Sequence, residues 1–291
     1  MDQPPMTPPL IDIQGITYQY PLQHMTLLES QKMSGPALNA VSLQIQPGEY
    51  VAVLGHNGCG KSTLARHCNA LLLPDEGGVR IDGMDTCDTA KQSLIRARIG
   101  MIFQNPDNQQ IATVVEDDVA WSLTVLGYPA REIRERVNEA LGAVGIEHLR
   151  YLPPHKLSGG QRQRLAIAGV LALRPRCIVA DEATSMLDPV SRQEIGDLFA
   201  QLHRNLGLTI MIVTHLLEEA TQAERVVLMS QGQILDQGTP AQMLADLERL
   251  RALKLIIPEP LVLAARLRAS GFTIAAHAVT LEAIAQEIAH A

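Results

Sequence analysis

Paired cysteines, an excess of positive charge and long hydrophobic runs are all absent from this sequence. The four cysteines show no C-x-x-C spacing, and a chain of 291 residues can build its core without disulfides. The formal net charge of −7 argues against the broad basic surface that binds nucleic acid. We therefore expect a reducing, cytosolic environment and no nucleic-acid partner.

The chain also lacks the segments that would insert it into a membrane. Its most apolar windows, residues 166–173 and 206–217, fall short of the roughly 18–20 apolar residues that a membrane-spanning helix needs. Residues 1–10 are rich in proline and have neither the basic nor the apolar region of a secretory signal. Any association with a membrane is therefore expected to depend on a partner protein.

The patterns that are present indicate an α/β fold. Hydrophobic residues make up 46% of the chain and charged residues 19%, as in ordinary globular proteins. Residues 10–20 and 38–45 alternate like antiparallel strands. From Gly55 onward, short apolar strands alternate with helical patterns, which is typical of a parallel sheet, and residues 225–236 predict a closing hairpin.

A change of pattern near residue 238 predicts a domain boundary. Thr239 opens a capping-box pattern with proline at the first helical position, and strand patterns end there. We predict a main domain over residues 1–238 and a small helical extension over residues 239–291. Further helices are predicted over residues 260–270 and 281–290, and the last would have an apolar face formed by Leu281, Ile284 and Ile288.

A glycine-rich loop follows the apolar run at residues 50–54 and precedes a predicted helix at residues 64–73. The loop and the residue after it are Gly55, His56, Asn57, Gly58, Cys59, Gly60, Lys61, Ser62 and Thr63. They match G-x-x-x-x-G-K-[ST], in which backbone N–H groups and a helix N-terminus surround phosphate oxygens. Lys61 would contact the outer phosphates and Ser62 would ligate Mg²⁺. By composition alone the pattern arises by chance in roughly one chain in a hundred of this length, so it predicts ATP binding.

Two carboxylates stand at the end of another short apolar strand, at residues 177–180. Asp181 and Glu182 would lie at the carboxyl edge of a parallel sheet, where α/β proteins place ligands. Asp181 would hold Mg²⁺ indirectly, and Glu182 would orient and polarise the attacking water. An isolated Asp-Glu pair after a strand can also be a simple acidic helix cap.

A second helix N-terminus with small residues is predicted about twenty residues before this pair. Its residues are Leu157, Ser158, Gly159, Gly160 and Gln161, and a long apolar helix follows them. With this run the sequence resembles the ATPase subunits of ABC transporters over about residues 10–238. In that family the signature run contacts the ATP of the neighbouring subunit.

The resemblance assigns roles to four more residues. Gln104, after the predicted strand at residues 99–103, matches the glutamine that contacts Mg²⁺ and water, and His215 matches the histidine that touches the γ-phosphate. Asp188 matches the aspartate that follows the carboxylate pair. Tyr20 matches the aromatic residue that stacks on adenine, with Tyr18 as the alternative.

Further runs narrow the resemblance to the energy-coupling-factor (ECF) transporter ATPases. The similar runs are residues 55–58, 71–74, 103–109 and 181–189. Ala183 and Met186 stand where most ABC ATPases have proline and glycine, which points to the first ATPase type of the ECF group. A C-terminal helical extension also fits that group.

The resemblance implies a P-loop NTPase (RecA-like) core with an antiparallel β-subdomain and a helical subdomain at about residues 106–154. It also implies an ATP-hydrolysing subunit that pairs with a second ATPase, identical or a paralogue. This pair would lie on the cytoplasmic face of the cell membrane and power uptake of a vitamin or metal ion. Its membrane partners would be a coupling protein and a substrate-binding protein. An ATPase of another ABC importer group, and a soluble ABC protein, are the alternatives.

Overall fold

The computed structural model describes residues 8–21, 35–272, 274 and 281–289, without the side chains of residues 282 and 283. These residues divide into two compact units, the first drawn from Met1–Cys87 and Ile212–Ala291 and the second from Asp88–Met211. Within the described ranges, no helix is both long enough and apolar enough to cross a bilayer.

The secondary-structure elements follow one another in α/β order. The strands are β1 Ile11–Tyr18, β2 Leu38–Ile45, β3 Tyr50–Leu54, β4 Glu76–Ile81, β5 Met84–Asp85, β6 Ile99–Ile102, β7 Cys177–Asp181, β8 Thr209–Thr214, β9 Arg225–Ser230 and β10 Gln233–Gly238. The helices are α1 Lys61–Cys68, α2 Gln92–Arg98, α3 Val115–Val125, α4 Ala130–Val144, α5 Gly159–Leu171, α6 Pro189–Leu206, α7 Leu217–Ala220, α8 Pro240–Met243, α9 Leu247–Ala252, α10 Glu259–Ala269 and α11 Leu281–Ala289.

The first unit contains the predicted antiparallel strands as a four-stranded sheet of order β2-β1-β4-β5. β1 pairs with β2 in the register Ile11 to Ile45 and Ile13 to Leu43, with a shift after Ile13. The inward residues of both strands are buried, which explains why their alternation could be recognised in the sequence. β4 and β5 were not predicted, because Glu76–Ile81 contains two glycines and no clear alternation.

The strand β3 of the first unit leads into the glycine-rich loop. β3 is buried over its whole length and pairs in parallel with β9, which pairs antiparallel with β10 as the hairpin prediction requires. The predicted helix at residues 64–73 is too long, since α1 ends at Cys68. Ala70 has a φ of 54°, a left-handed conformation that turns the chain out of the helix.

The second unit pairs β6 and β7 in parallel and packs three helices around an apolar core. α3, α4 and α5 contribute buried residues at three- and four-residue spacing, for example Val115, Val119 and Leu123 of α3. α5 begins at Gly159, within the predicted helix N-terminus at residues 157–161, because Ser158 caps it. Short 3-10 turns precede α3 and α5, at Pro106–Gln109 and Pro154–Lys156.

The predicted extension consists of short helices in the described residues. Thr239 forms the expected capping box with Gln242, although the helix that it opens ends at Met243. The apolar face expected on α11 is only partly buried: Ile284 packs with Ala264 and Ile274, whereas Leu281 and Ile288 are exposed. A boundary at residues 238 and 239 stays a prediction.

Candidate nucleotide site

The glycine-rich loop is held in shape by its own lysine. Lys61 is 3% exposed, and its Nζ donates hydrogen bonds to the carbonyl oxygens of Gly55 (2.8 Å) and His56 (3.0 Å). A buried ammonium must be paired, so these two bonds fix the lysine across the mouth of the loop. The first turn of α1 contains no acidic residue, which leaves the positive potential of its N-terminus available to an anion.

Other loop residues differ in their exposure. Asn57 and Gly58 are exposed, and Ser62 is half-buried. Cys59 is 1% exposed, so an alkylating reagent reaches its thiol only if the loop opens. Thr63 is buried behind the loop.

Two further predicted residues lie beside this loop in the first unit. The hydroxyl of Tyr20 lies 3.2 Å from Thr63 Oγ1, and its ring meets the ring of Tyr18 edge-on at 5.0 Å. Tyr18 is the more buried of the two, which favours Tyr20 as the ring available for stacking. His215 follows Thr214, whose carbonyl oxygen accepts a hydrogen bond of 3.3 Å from the backbone N–H of Gly55.

The predicted carboxylate pair lies at the end of β7 in the second unit. Asp181 is the last residue of the strand and is 5% exposed, and Glu182 is half-buried. Glu182 has a φ of 49°, which is uncommon for a residue with a side chain and costs roughly 1–3 kcal/mol. Such strain at a predicted catalytic position sets the direction in which the carboxylate leaves the strand.

The signature run forms the N-terminus of α5, as the sequence indicated. Ser158 Oγ accepts from Gln161 N (3.3 Å), and Gln161 Oε1 accepts from Ser158 N (2.9 Å), which completes a capping box. Ser158 is exposed and Gly159 and Gly160 are half-buried. The helix end is therefore preformed and accessible.

Asp188 has a role that the sequence had not suggested. Its Oδ1 accepts hydrogen bonds from Val190 N (3.1 Å) and Ser191 N (3.0 Å), so it caps α6. Hydrogen bonding by Ser191, first through its side chain, lowers the pKa of the Asp188 carboxyl. Asp188 thus fixes the start of α6, a few residues after Glu182.

Gln104 is exposed, and neighbouring side chains hold its loop. Gln109 Oε1 accepts from Phe103 N (2.9 Å) and Gln109 Nε2 donates to Met101 O (3.1 Å), so Gln109 ties the following 3-10 turn back to β6. Sequence reasoning missed this residue, although it lies within the run at residues 103–109. A polar side chain that closes a loop on its own backbone leaves no periodic signal.

The structure thus places the predicted site residues in two groups. The first unit contains residues 55–63, Tyr20 and His215. The second unit contains Gln104, residues 158–161, Asp181, Glu182 and Asp188.

Comparison with known proteins identifies the family and the fold of this chain. Residues 38–185 match the family model described as "ABC transporter". A solved structure of cbiO1 from Clostridium perfringens, described as part of the ABC transporter complex cbiONQ, is 34% identical and has a TM-score of 0.74. The match covers 90% of this chain and 100% of the cbiO1 chain. The dimeric ATP-binding cassette MJ0796 in a post-hydrolysis state with ADP and Pi is 31% identical, with a TM-score of 0.68 over 79% of this chain and 98% of the cassette. The fold is therefore that of an ABC ATPase, and the predicted fold class is confirmed.

Curated relatives define the group within this class. The energy-coupling factor transporter ATP-binding protein EcfA1 of Symbiobacterium thermophilum is 47% identical over 97% of this chain and 98% of its own length. EcfA1 of Clostridium novyi is 45% identical over 94% of this chain and 95% of its own length. The chain belongs to the ABC transporter family and, within it, to the energy-coupling factor transporter ATP-binding proteins. It is an ATPase, as the sequence predicted.

Proposed function

We propose that this chain is the ATP-hydrolysing subunit of an energy-coupling factor importer, peripheral to the cytoplasmic face of the cell membrane. A second ATPase subunit, a membrane-embedded coupling protein and a substrate-binding membrane protein would complete the transporter, which would take up a vitamin or a metal ion. The names of the EcfA1 relatives and the resemblance of the site motifs support this assignment. The preformed N-terminus of α5 is the observation on which the proposal mainly depends.

That helix end fits a γ-phosphate supplied by another subunit. Its capping box satisfies Ser158 N and Gln161 N internally, while the Ser158 side chain remains exposed. A phosphate brought to this end would meet the positive end of the helix dipole and a nearby hydroxyl donor. We propose that two subunits clamp ATP between the residue 55–62 loop of one and the α5 N-terminus of the other, and that hydrolysis opens the clamp.

The donor atoms at the predicted positions fit Mg²⁺. Ser62 and Gln104 would supply hydroxyl and amide oxygens as hard ligands, and the Asp181 carboxylate would hold the ion indirectly. Asp181 is 5% exposed and is the last residue of the buried strand β7. In the part of the chain that is described, no group of three or more His, Cys, Asp and Glu side chains could hold a metal. The ion would therefore depend on few protein oxygens and on the phosphates, whose charge it would neutralise.

Replacement of Glu182 tests the proposed chemistry. In our proposal Lys61 and His215 hold the phosphates and Glu182 polarises water, so Glu182→Gln removes the base and leaves phosphate binding intact. We expect ATPase turnover to fall by about a hundredfold or more. We also expect an ATP-dependent dimer to accumulate, measured by size-exclusion chromatography with and without ATP.

Glu135→Gln is the matched control for this experiment. Glu135 lies on α4, and its side chain is 55% exposed and pairs with Arg131. This control should turn over ATP like the wild type. Normal turnover in Glu182→Gln, or equal losses in both variants, would show that Glu182 is not the base.

An exposed apolar surface in the second unit supports the proposal that a membrane protein binds this chain. A cavity of about 570 Å³ is lined by Ser93, Leu94, Ala97, Leu126, Gly127, Tyr128, Pro129 and Glu132. Leu94 of α2 and Leu126, directly after α3, are 48% and 51% exposed, and Trp121 and Val125 of α3 are 46% and 69% exposed. Apolar side chains exposed close together in this way mark interaction sites. We propose that the coupling protein docks here.

Co-purification of the transporter tests this docking surface. Val125→Glu should reduce recovery of the membrane partners from detergent-solubilised membranes, because it adds a charge to the apolar surface. Leu206→Glu is the control, since Leu206 is 62% exposed at the end of α6 and belongs neither to the lining of that cavity nor to the exposed residues of α3. Unchanged assembly in Val125→Glu, with the partners fully recovered, would rule out this surface.

A further inference from the structure

The turn between β9 and β10 lies directly against the glycine-rich loop. The backbone N–H of Gly232 donates to the carbonyl oxygen of Cys59 at 2.9 Å, and the carbonyl oxygen of Gly232 accepts from Asn39 N at 2.9 Å. The turn contains two residues with positive φ, Gln231 at 49° and Gly232 at 75°. It is therefore tied to the loop on one side and to the start of β2 on the other.

Close packing leaves no room for a side chain at Gly232. A Cβ at Gly232 would lie 2.9 Å from the carbonyl oxygen of Ala37, and a Cβ at Gly60 would lie 2.5 Å from the same oxygen. Ala37 cannot easily retreat, because its N–H donates to Tyr18 O at 2.8 Å. The rear of the loop is thus enclosed by the turn and by the segment before β2.

The hydrogen bond from Gly232 also determines where one loop amide points. Cys59 C=O and Gly60 N–H belong to the same trans peptide, so they point in opposite directions. Because the Cys59 carbonyl points to Gly232, the Gly60 N–H must point away from the turn, out of the enclosed rear of the loop. That side is where a phosphate cradled by loop N–H groups would lie.

We propose that Gly232 is a positioning residue for nucleotide binding, which orients the Cys59–Gly60 peptide so that Gly60 N–H faces the phosphates. The inference depends on the proposed role of residues 55–62 in the phosphate site. Gly232 itself contacts no nucleotide in this proposal. It acts only through the carbonyl of Cys59.

A pair of glycine substitutions separates this role from a general effect on the fold. Gly83 has a φ of 76°, close to that of Gly232, but a Cβ there would meet nothing within 4 Å. Gly232→Ala and Gly83→Ala therefore impose similar backbone strain in turns of the same unit, and only the first also presses on Ala37, which would push Gly232 away from the Cys59 carbonyl. Affinity for a fluorescent ATP analogue with Mg²⁺, the KM and kcat of ATP hydrolysis, and the urea midpoint are measured for both.

We expect Gly232→Ala to bind the analogue about tenfold more weakly, the loss of one hydrogen bond to a charged group, and to raise KM more than it lowers kcat. Gly83→Ala should bind the analogue like the wild type. Equal binding by Gly232→Ala and the wild type, or equal losses in both variants, would overturn the proposal. Lys61→Ala is included because retained binding in that variant would instead show that the phosphate site itself was misassigned.

Hydrogen exchange on the wild-type protein keeps the proposal testable if Gly232→Ala does not fold. Addition of the ATP analogue should increase protection of the amides in both the 55–62 loop and the turn at Gln231 and Gly232. Amides of the turn at Gly83 should not change. Increased protection of the loop without any change at Gly232 would contradict the proposed coupling.

Discussion

The ion pair between Arg162 and Asp107 gives a prediction whose size follows from the structure. Arg162 Nε lies 3.0 Å from Asp107 Oδ1, and Arg162 Nη1 donates to Leu157 O at 3.0 Å. Arg162 is in the first turn of α5, and Asp107 is in the 3-10 turn after Gln104. The pair therefore joins the segment that follows Gln104 to the signature run within the second unit.

The expected coupling energy of this pair is small. At 3.0 Å two unit charges attract by about 1.4 kcal/mol in a water-like medium. The side chains are 29% and 57% exposed, and pairs of this kind contribute about 0.2–1 kcal/mol after solvent screening and loss of side-chain freedom. The Arg162 Nε–H is not aligned for a hydrogen bond, so the contact is mainly one of charge. We predict a coupling of about 0.5 kcal/mol.

A double-mutant cycle measures this coupling. Urea unfolding of the wild type, Asp107→Asn, Arg162→Gln and the double variant isolates the pairwise energy. The Leu157 bond is lost in both variants that lack Arg162, so it cancels from the cycle. Each measurement is made at low salt and at about 1 M NaCl, where the Debye length falls to roughly 3 Å. The coupling should shrink by more than half at high salt.

The pair of Arg136 and Glu132 is the reference, because its side chains are only 11% and 39% exposed. Its coupling should exceed that of Arg162 and Asp107 and depend less on salt. A coupling of zero between Arg162 and Asp107 at low salt, or one that 1 M NaCl leaves unchanged, would refute the reasoning from charge and exposure.

Two further predictions concern titratable groups. Burial lowers the pKa of His67, although a hydrogen bond with Thr63 O partly opposes this; the unfolded chain therefore takes up a proton near pH 6.5 that the folded chain resists. The contribution of His67 to the free energy of unfolding should be constant above that pH and fall as pH decreases below it. His67→Gln should therefore flatten the pH dependence in urea titrations between about pH 7.5 and 5.5. A slope unchanged in His67→Gln would assign the effect to other groups. Burial raises the pKa of the Cys68 thiol to about 12, and Cys59 and Cys177 are also buried, whereas Cys87 is exposed. Maleimide should label only Cys87 rapidly in the native protein, as mass spectrometry would show, and rapid labelling of Cys87→Ser would contradict the burial of the other thiols.

The sequence by itself determined the features that depend on local pattern. The 55–62 loop requires a fixed order of glycine, lysine and serine between a strand and a helix, and that order is legible in one dimension. The signature run was recognisable for the same reason, since it is a contiguous run of small residues directly before an apolar helix. These local rules, with the family resemblance, predicted the fold class and the ATPase activity.

Tertiary structure decided the features that join residues distant in the chain. Gly232 supports Cys59 across more than 170 positions, and Asp107 pairs with Arg162 across 55; neither contact follows a helical or strand period. The exposed face of α11 and the early end of α1 likewise depended on packing and on a single left-handed residue. Local hydrogen bonds leave a signature in sequence spacing, whereas contacts made by folding are set by the shape of the whole unit.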